Sequence, residues 1–233
     1  HLSIRRQRQM CIRDSHRTLI IEAPEDWGDA PDSDVAPRYP TLKVNNGARH
    51  VVVPGFSLGP TVTYELDGQP NATATGDTGD NGVTFRAPKE SPTTPGALVP
   101  GTTATIDVNV VAPRDAGGGL LEPAYLNAWV DFNGDDDWDD TYPVLDENGN
   151  VIATISEHVL DYEFPAGDTR QNFTLSFLGP DGLAKKDTFA RFRLSHSRVQ
   201  SYDGPPQGTP RNLVPDGEVE DYLVQIIVGD AKI

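Results

Sequence analysis

The sequence has few of the residues that cross-link small secreted domains, and it lacks the segments that cross membranes. Its 233 residues include one cysteine and one methionine. A single cysteine excludes a disulfide framework, so packing or bound metal must supply any additional stabilisation. No apolar run approaches the roughly 18 residues that a membrane-spanning helix needs. The sequence therefore predicts neither disulfide cross-links nor membrane insertion.

Basic residues are scarce as well. The chain has 19 Lys and Arg against 35 Asp and Glu, which gives a formal net charge of −16. Nucleic acids require a basic surface to meet their phosphates, so we expect no nucleic-acid partner. An acid excess suits a solvated extracellular surface or a chain that binds divalent cations.

Residues 1–17 differ in composition from the rest of the chain. They hold five of the basic residues together with the only methionine and the only cysteine, Met10 and Cys11. The stretch RQMCIRDS at 8–15 resembles a translated sequencing-adapter artefact of metagenomic assemblies. We therefore expect residues 1–17 to be a non-native or disordered leader, and residues 18–233 to form one domain.

The remaining sequence alternates between short apolar-polar runs and turn residues, a pattern typical of β-structure. Strands are predicted at 18–22, 103–111, 125–132, 188–195 and 222–228. The stretches 68–82, 87–101, 113–123 and 201–216 are long for loops in a compact domain, and we expect calcium to clamp them. The predicted fold is an all-β, antiparallel β-sandwich, jelly-roll-like, with long calcium-clamped loops.

The strongest chemical signal is an acidic loop at 131–140. Calcium binds six to eight hard oxygen ligands, and side chains at alternate positions of a tight loop can converge on one ion. The loop departs from an EF-hand because its sixth position is Asp136 and its twelfth is Tyr142. A solvated acidic turn without metal remains the alternative. The expected calcium ligands are Asp131, Asn133, Asp135, Asp137, Asp139 and Asp140.

Further ligands could come from distant acidic motifs. Asp29 and Asp32 follow one another around a turn near the start of the chain, and Glu218 and Glu220 share one face of the last predicted strand. For the two glutamates, metal ligation and pairing with Arg191 and Arg193 are equally open.

Six motifs resemble the GEVED domain family, which is named for its Gly-Glu-Val-Glu-Asp motif and occurs in large secreted or surface proteins of bacteria. They are DWGDAPDS at 26–33, NNGARHVV at 45–52, GDNGVTF at 79–85, LNAWVDFNGDDDWDD at 126–140, FARFRLS at 189–195 and PDGEVEDYLVQI at 215–226. The resemblance implies a β-sandwich module without established catalysis. Family members typically have glycine where this chain has Asp136, so a positive φ at that position would be strained.

The resulting functional hypothesis is a non-catalytic, extracellular or cell-surface structural or adhesive module that is stabilised by calcium. Other copies of the chain could be its partners, because residues 18–22 could lend a strand to a neighbour's sheet edge. The alternative is a carbohydrate-binding module of a larger secreted protein, which would bind surface glycans through exposed aromatic residues such as Trp27, Trp129 and Trp138. No His-Glu-x-x-His motif points to a zinc enzyme, and the Ser195-His196-Ser197 trio at the end of a predicted strand has no Gly-x-Ser-x-Gly elbow around it.

Overall fold

The computed structural model describes residues 23–33, 35, 39–76, 78, 79, 81–198 and 213–227. The predicted leader 1–17 and the predicted strand 18–22 lie outside the described residues. No helix in this part of the chain is long and apolar enough to cross a membrane.

The regular structure of the described residues consists of strands and one short 3₁₀ helix at Lys43–Asn45. The strands are β1 (Glu25–Trp27), β2 (Arg49–Val51), β3 (Ser57–Leu58), β4 (Val83–Phe85), β5 (Ala97–Leu98), β6 (Thr103–Val111), β7 (Ala124–Val130), β8 (Thr141–Leu145), β9 (Val151–Ser156), β10 (His158–Phe164), β11 (Asn172–Leu178), β12 (Lys186–Ser195), β13 (Leu213–Val214) and β14 (Glu218–Ile226).

Two sheets enclose the main core. A central sheet has the strand order β10-β7-β12-β14-β5, and a facing sheet has the order β11-β6-β3, with β4 also paired to β6. Alternation along β6 buries Ile106, Val108 and Val110, and along β12 it buries Phe192 and Leu194. These side chains meet in one apolar cluster, so the fold is a β-sandwich, as the sequence predicts. Its pairings are mostly antiparallel, except for β13 with β2 and β14 with β5, which are parallel.

The opposite face of the central sheet is also covered. The strands β1, β2 and β13 form a small third sheet, and the chain around them packs on this face. Its contact with the central sheet is a second buried cluster of Ala30, Tyr39, Trp129, Trp138 and Val214. We call this covering the N-terminal layer. Because of it, the middle of the central sheet is buried on both sides.

The remaining strands form a hairpin. Strands β8 and β9 pair with each other in a two-stranded sheet that follows directly after the acidic loop. The chain then returns to the central sheet through β10, which pairs with β7. The acidic loop therefore lies between a rigid central strand and this hairpin.

Candidate metal site and the buried acidic motif

Asp131 anchors the acidic loop from inside. It is fully buried directly after β7, and its carboxylate accepts hydrogen bonds from the backbone N–H groups of Gly134 and Asp136 and from the Tyr39 hydroxyl. Burial raises the pKa of Asp131 above its ordinary value. These contacts fold the backbone of 131–136 into a tight turn, in which Asp136 has a φ of 76°. The strained position expected at Asp136 is confirmed.

Three carboxylates converge within this turn. One oxygen each from Asp135, Asp137 and Asp140 lies within 4.8 Å of the others. The Asn133 side-chain amide lies between two of them, and its Nδ2 donates to Asp135 and Asp140. Burial, reinforced by the charges of Asp135 and Asp139, raises the pKa of Asp137 to about 6. Asp139 itself is exposed and is not part of the converging group.

The loop is held on both sides. The Trp138 ring is buried against Tyr39, with ring centroids 4.5 Å apart, and its Nε1 donates to the Phe189 backbone carbonyl. On the far side, Glu157 accepts hydrogen bonds from the backbone N–H groups of Phe132 and Asp140. Burial raises the pKa of Glu157 to about 7. The turn therefore has a fixed frame, whereas its outer carboxylates face one another.

The donor set fits a hard divalent cation. Two oxygens that each lie about 2.4 Å from one calcium ion are at most about 4.8 Å apart, and one oxygen each from Asp135, Asp137 and Asp140 lies within that limit. The Asn133 oxygen and nitrogen can exchange places by a side-chain flip, which would offer a fourth oxygen. The Lys186 ammonium group lies near this loop. It donates to the backbone carbonyls of Asn133 and Gly134 rather than to the three converging carboxylates.

The other predicted ligands near the start of the chain hold backbone groups instead. Asp32 accepts hydrogen bonds from the N–H groups of Thr41 and Leu42 and from Asn45 Nδ2. Asp29 accepts the backbone N–H of Gly76. Neither belongs to the group of converging carboxylates.

Glu218 and Glu220 project from β14 toward the facing sheet, beside the core residues Leu194 and Phe192. Glu218 accepts the backbone N–H of Leu58 in β3. Glu220 Oε1 accepts the N–H groups of Asn81 and Gly82 at 2.8 and 2.9 Å, just before β4. Both carboxylates thus fasten the facing sheet to the central one.

The pairing of these glutamates with Arg191 was wrong. Arg191 lies on the opposite face of the sheet and pairs with Asp221, with Nε and Nη2 each 2.7 Å from a carboxylate oxygen. Both side chains are completely buried. The same Asp221 accepts the backbone N–H groups of Asp29 and Ala30, each at 2.8 Å.

Comparison with known proteins finds one match, to a protein family. Residues 125–225, which span the acidic loop and the last strand, match the model of the GEVED domain family. Over this stretch the chain is similar to GEVED domains. No curated protein and no solved structure matches the chain.

Each residue of the GEVED motif has a structural role. Gly217 has a φ of +94°, and a Cβ there would lie 1.8 Å from the Leu194 carbonyl oxygen. The backbone N–H of Val219 donates to Asp26, so a side chain of the N-terminal layer holds the strand in return. Glu218, Glu220 and Asp221 bind backbone groups on both faces, as described above. The motif therefore joins three layers through one strand.

Sequence reasoning also missed a polar contact between β12 and the N-terminal layer. His50 on β2 is fully buried, accepts a hydrogen bond from Arg193 Nε at Nε2, and contacts the Asp216 carbonyl through Nδ1. Burial, reinforced by the charge of Arg193, holds the pKa of His50 well below its ordinary value. The NNGARHVV motif at 45–52 contains this histidine, but nothing local indicates its partner.

The aromatic residues expected to form a glycan platform are buried. Trp27, Trp129 and Trp138 are each 1% exposed. Trp129 stacks on His158, and Trp138 stacks against Tyr39 and lies under the Arg191 guanidinium. They serve the packing of the central sheet and cannot present flat rings to a sugar, so the tryptophan platform was wrong.

Proposed function

We propose that this GEVED domain is a non-catalytic structural module of an extracellular or cell-surface bacterial protein, stabilised by calcium at the acidic loop. The observation that carries the proposal is the convergence of Asp135, Asp137 and Asp140 on a frame fixed by buried Asp131 and Trp138. Like charges held this close cost free energy unless a cation neutralises them.

The use of the GEVED motif supports a structural role. Its carboxylates accept hydrogen bonds from backbone N–H groups and from Arg191. They therefore hold the layers of the fold together. A carboxylate that accepts several such bonds is stabilised in its charged form. On this proposal the domain supplies rigidity, and its surface carries the contacts with partners.

Thermal melting with calcium and with a chelator tests the calcium assignment. A ligand bound only by the folded state, at about 100 times its dissociation constant, adds about 2.7 kcal/mol to the free energy of unfolding. For a chain of this size that raises the melting temperature by roughly 5 to 11 °C. An unchanged melting temperature on chelation would remove calcium from the proposal.

A matched pair of variants identifies the ligands. Asp137→Asn should lower the melting temperature in calcium, because it removes a converging carboxylate. In chelator it should raise the melting temperature, because it relieves repulsion. Glu147→Gln removes one negative charge from the exposed turn between β8 and β9, outside the group, so its effect should be small and have the same sign in both conditions. If the two variants shift the melting temperature equally in both conditions, the loop responds only to net charge and the converging carboxylates are not calcium ligands.

The proposal includes assembly through residues 18–22, whose apolar side chains could complete a neighbour's sheet edge. Ile20→Lys should abolish such assembly, as measured by light scattering of the full chain. An assembly that survives Ile20→Lys would have to use another edge.

A further inference from the structure

The hairpin of β8 and β9 is the part of the fold with the fewest strand neighbours. Among the described residues, β8 and β9 pair only with each other, and nothing outside the hairpin bonds to the backbone of 151–155. A two-stranded ribbon is marginally stable in water, and an open edge is a template for a further strand. Within the described part of the chain, the outer edge of β9 is therefore unpaired.

This edge has little of the protection that proteins usually give to exposed strands. Strand β9 has the sequence VIATIS, without a charge or a proline, and its apolar side chains are exposed: Val151 by 62% and Ile152 by 65%. By contrast, the edge strand β10 carries Asp161 and Glu163, both of which are paired with Arg198. Charged residues on an edge oppose further pairing, and β9 has none. Its one protective feature is a bulge, because the register with β8 skips Ile152.

The charge of the chain indicates which partner suits this edge. At a net charge of −16, two copies repel each other over most of their surfaces. The hairpin strands TYPVL and VIATIS carry no charge, and its two acids, Asp146 and Glu147, lie in the turn. Identical copies can approach along β9 without opposing carboxylates, whereas a basic partner would find nothing there to attract it.

The ladder geometry gives the register of such a pairing. The Glu157 N–H donates to the Asp140 carbonyl, so Thr141 and Ser156 form a non-hydrogen-bonded pair. Alternation makes Thr154, opposite Pro143, another such pair, so its backbone N–H and C=O point away from β8. A two-fold axis beside Thr154 would let two copies exchange these bonds and would set Thr154 against its own counterpart.

The geometry points to a symmetric homodimer in which the β9 strands of two copies pair antiparallel around Thr154. The two hairpins then form one four-stranded sheet, and Ile152 of each copy packs near Ser156 of the other. The inference is independent of the calcium site and of residues 18–22. It adds a second contact between copies, at an element after the acidic loop.

Sedimentation of the full chain tests the pairing. Ile20→Lys, which removes assembly through residues 18–22, serves as the background protein. It should reach twice the monomer mass as its concentration rises, and more readily at high salt, because salt screens the repulsion between acidic copies. In this background Thr154→Lys should sediment as a monomer, since it places like charges opposite each other. Thr154→Glu should do the same. An equimolar mixture of the two variants should regain the dimer, because unlike charges then meet across the axis.

The Ile20→Lys background separates this edge from residues 18–22, and a second control separates it from β11. Ser176→Lys adds the same charge at an exposed position of the edge strand β11 and should leave the dimer intact. A background protein that stays monomeric at every concentration would overturn the inference. So would a dimer that survives Thr154→Lys, or one that is lost in Ser176→Lys.

Discussion

The buried pair of Arg191 and Asp221 allows a direct test of how the GEVED motif works. Asp221 accepts two bonds from the guanidinium at 2.7 Å and two from the backbone N–H groups of Asp29 and Ala30 at 2.8 Å. Neither side chain of the ion pair is exposed. Asp221→Asn keeps the shape of the acceptor and removes its charge, which leaves the Arg191 charge uncompensated in the interior.

Removal of one partner from a buried ion pair costs about 3–5 kcal/mol. With a urea dependence of about 2 kcal/mol per M, a loss of about 4 kcal/mol lowers the unfolding midpoint by about 2 M. Arg191 cannot escape to water easily, because it also donates to the Pro40 carbonyl and to Thr41 Oγ1. We therefore expect Asp221→Asn to lose the full free energy of unfolding given above, because the guanidinium cannot move out to solvent.

The chain offers a matched control. Arg86 and Asp107 form a similar fork with two contacts of 2.7 Å, but their side chains are 52% and 42% exposed. Asp107→Asn should change the urea midpoint little, because water replaces the lost contact. The double variant Arg191→Met/Asp221→Asn should be more stable than the sum of its single changes predicts. If Asp221→Asn and Asp107→Asn shift the midpoint equally, then the buried pair is not what holds the layers together.

Three further changes test individual backbone and titration effects. Gly217→Ala should destabilise the fold far more than Gly96→Ala, because both glycines have positive φ but only at 217 does a Cβ meet the Leu194 carbonyl; urea unfolding compares them. At position 136, the melting temperature in calcium should fall in the order Gly, Asp, Ala, because φ is 76° there. A higher melting temperature for Asp136→Ala than for the wild type would contradict this. For His50, whose folded pKa is lowered, stability is complete above the unfolded pKa of about 6.5 and is lost as pH falls from there to the folded pKa. His50→Gln should flatten that dependence, and an unchanged slope between wild type and variant would contradict the assignment.

Strand positions were readable from the sequence where one face of a strand is polar. The predicted strand 103–111 is β6 residue for residue, because its alternation matches a sheet with one buried face. The apolar run of the last strand was predicted at 222–228, with Glu218 and Glu220 on one face of the same strand, and β14 indeed begins at Glu218. Its first four residues include three acids, which suggest solvent, and only the distant N–H groups that bind them make their burial tolerable.

The acidic loop was predictable in kind but only partly in detail. Charge density and spacing identified the segment, and three of its six expected ligands converge. The roles of Asp131 and Asp139 could not be read from spacing, because a tight turn sends one carboxylate inward to bind its own backbone and another to solvent. Glu157, which holds the far side of the loop, comes from 17 positions beyond Asp140 and has no sequence signal.

Sequence reasoning considered metal ions and arginine as partners for the glutamates of the GEVED motif. It missed a third kind of partner, the backbone N–H group. Every residue except proline carries a backbone N–H, so a carboxylate that binds one leaves no mark in the partner's sequence. The segments concerned, 57–59, 81–82 and 28–30, have few ladder bonds of their own, and a buried carboxylate satisfies N–H groups in each of them while tying them to β14. In the loop ending at Gly82, the clamp expected from calcium is thus supplied by Glu220. An acidic chain can bury several of its charges in this way because each one replaces a strand pairing that the irregular segments cannot make.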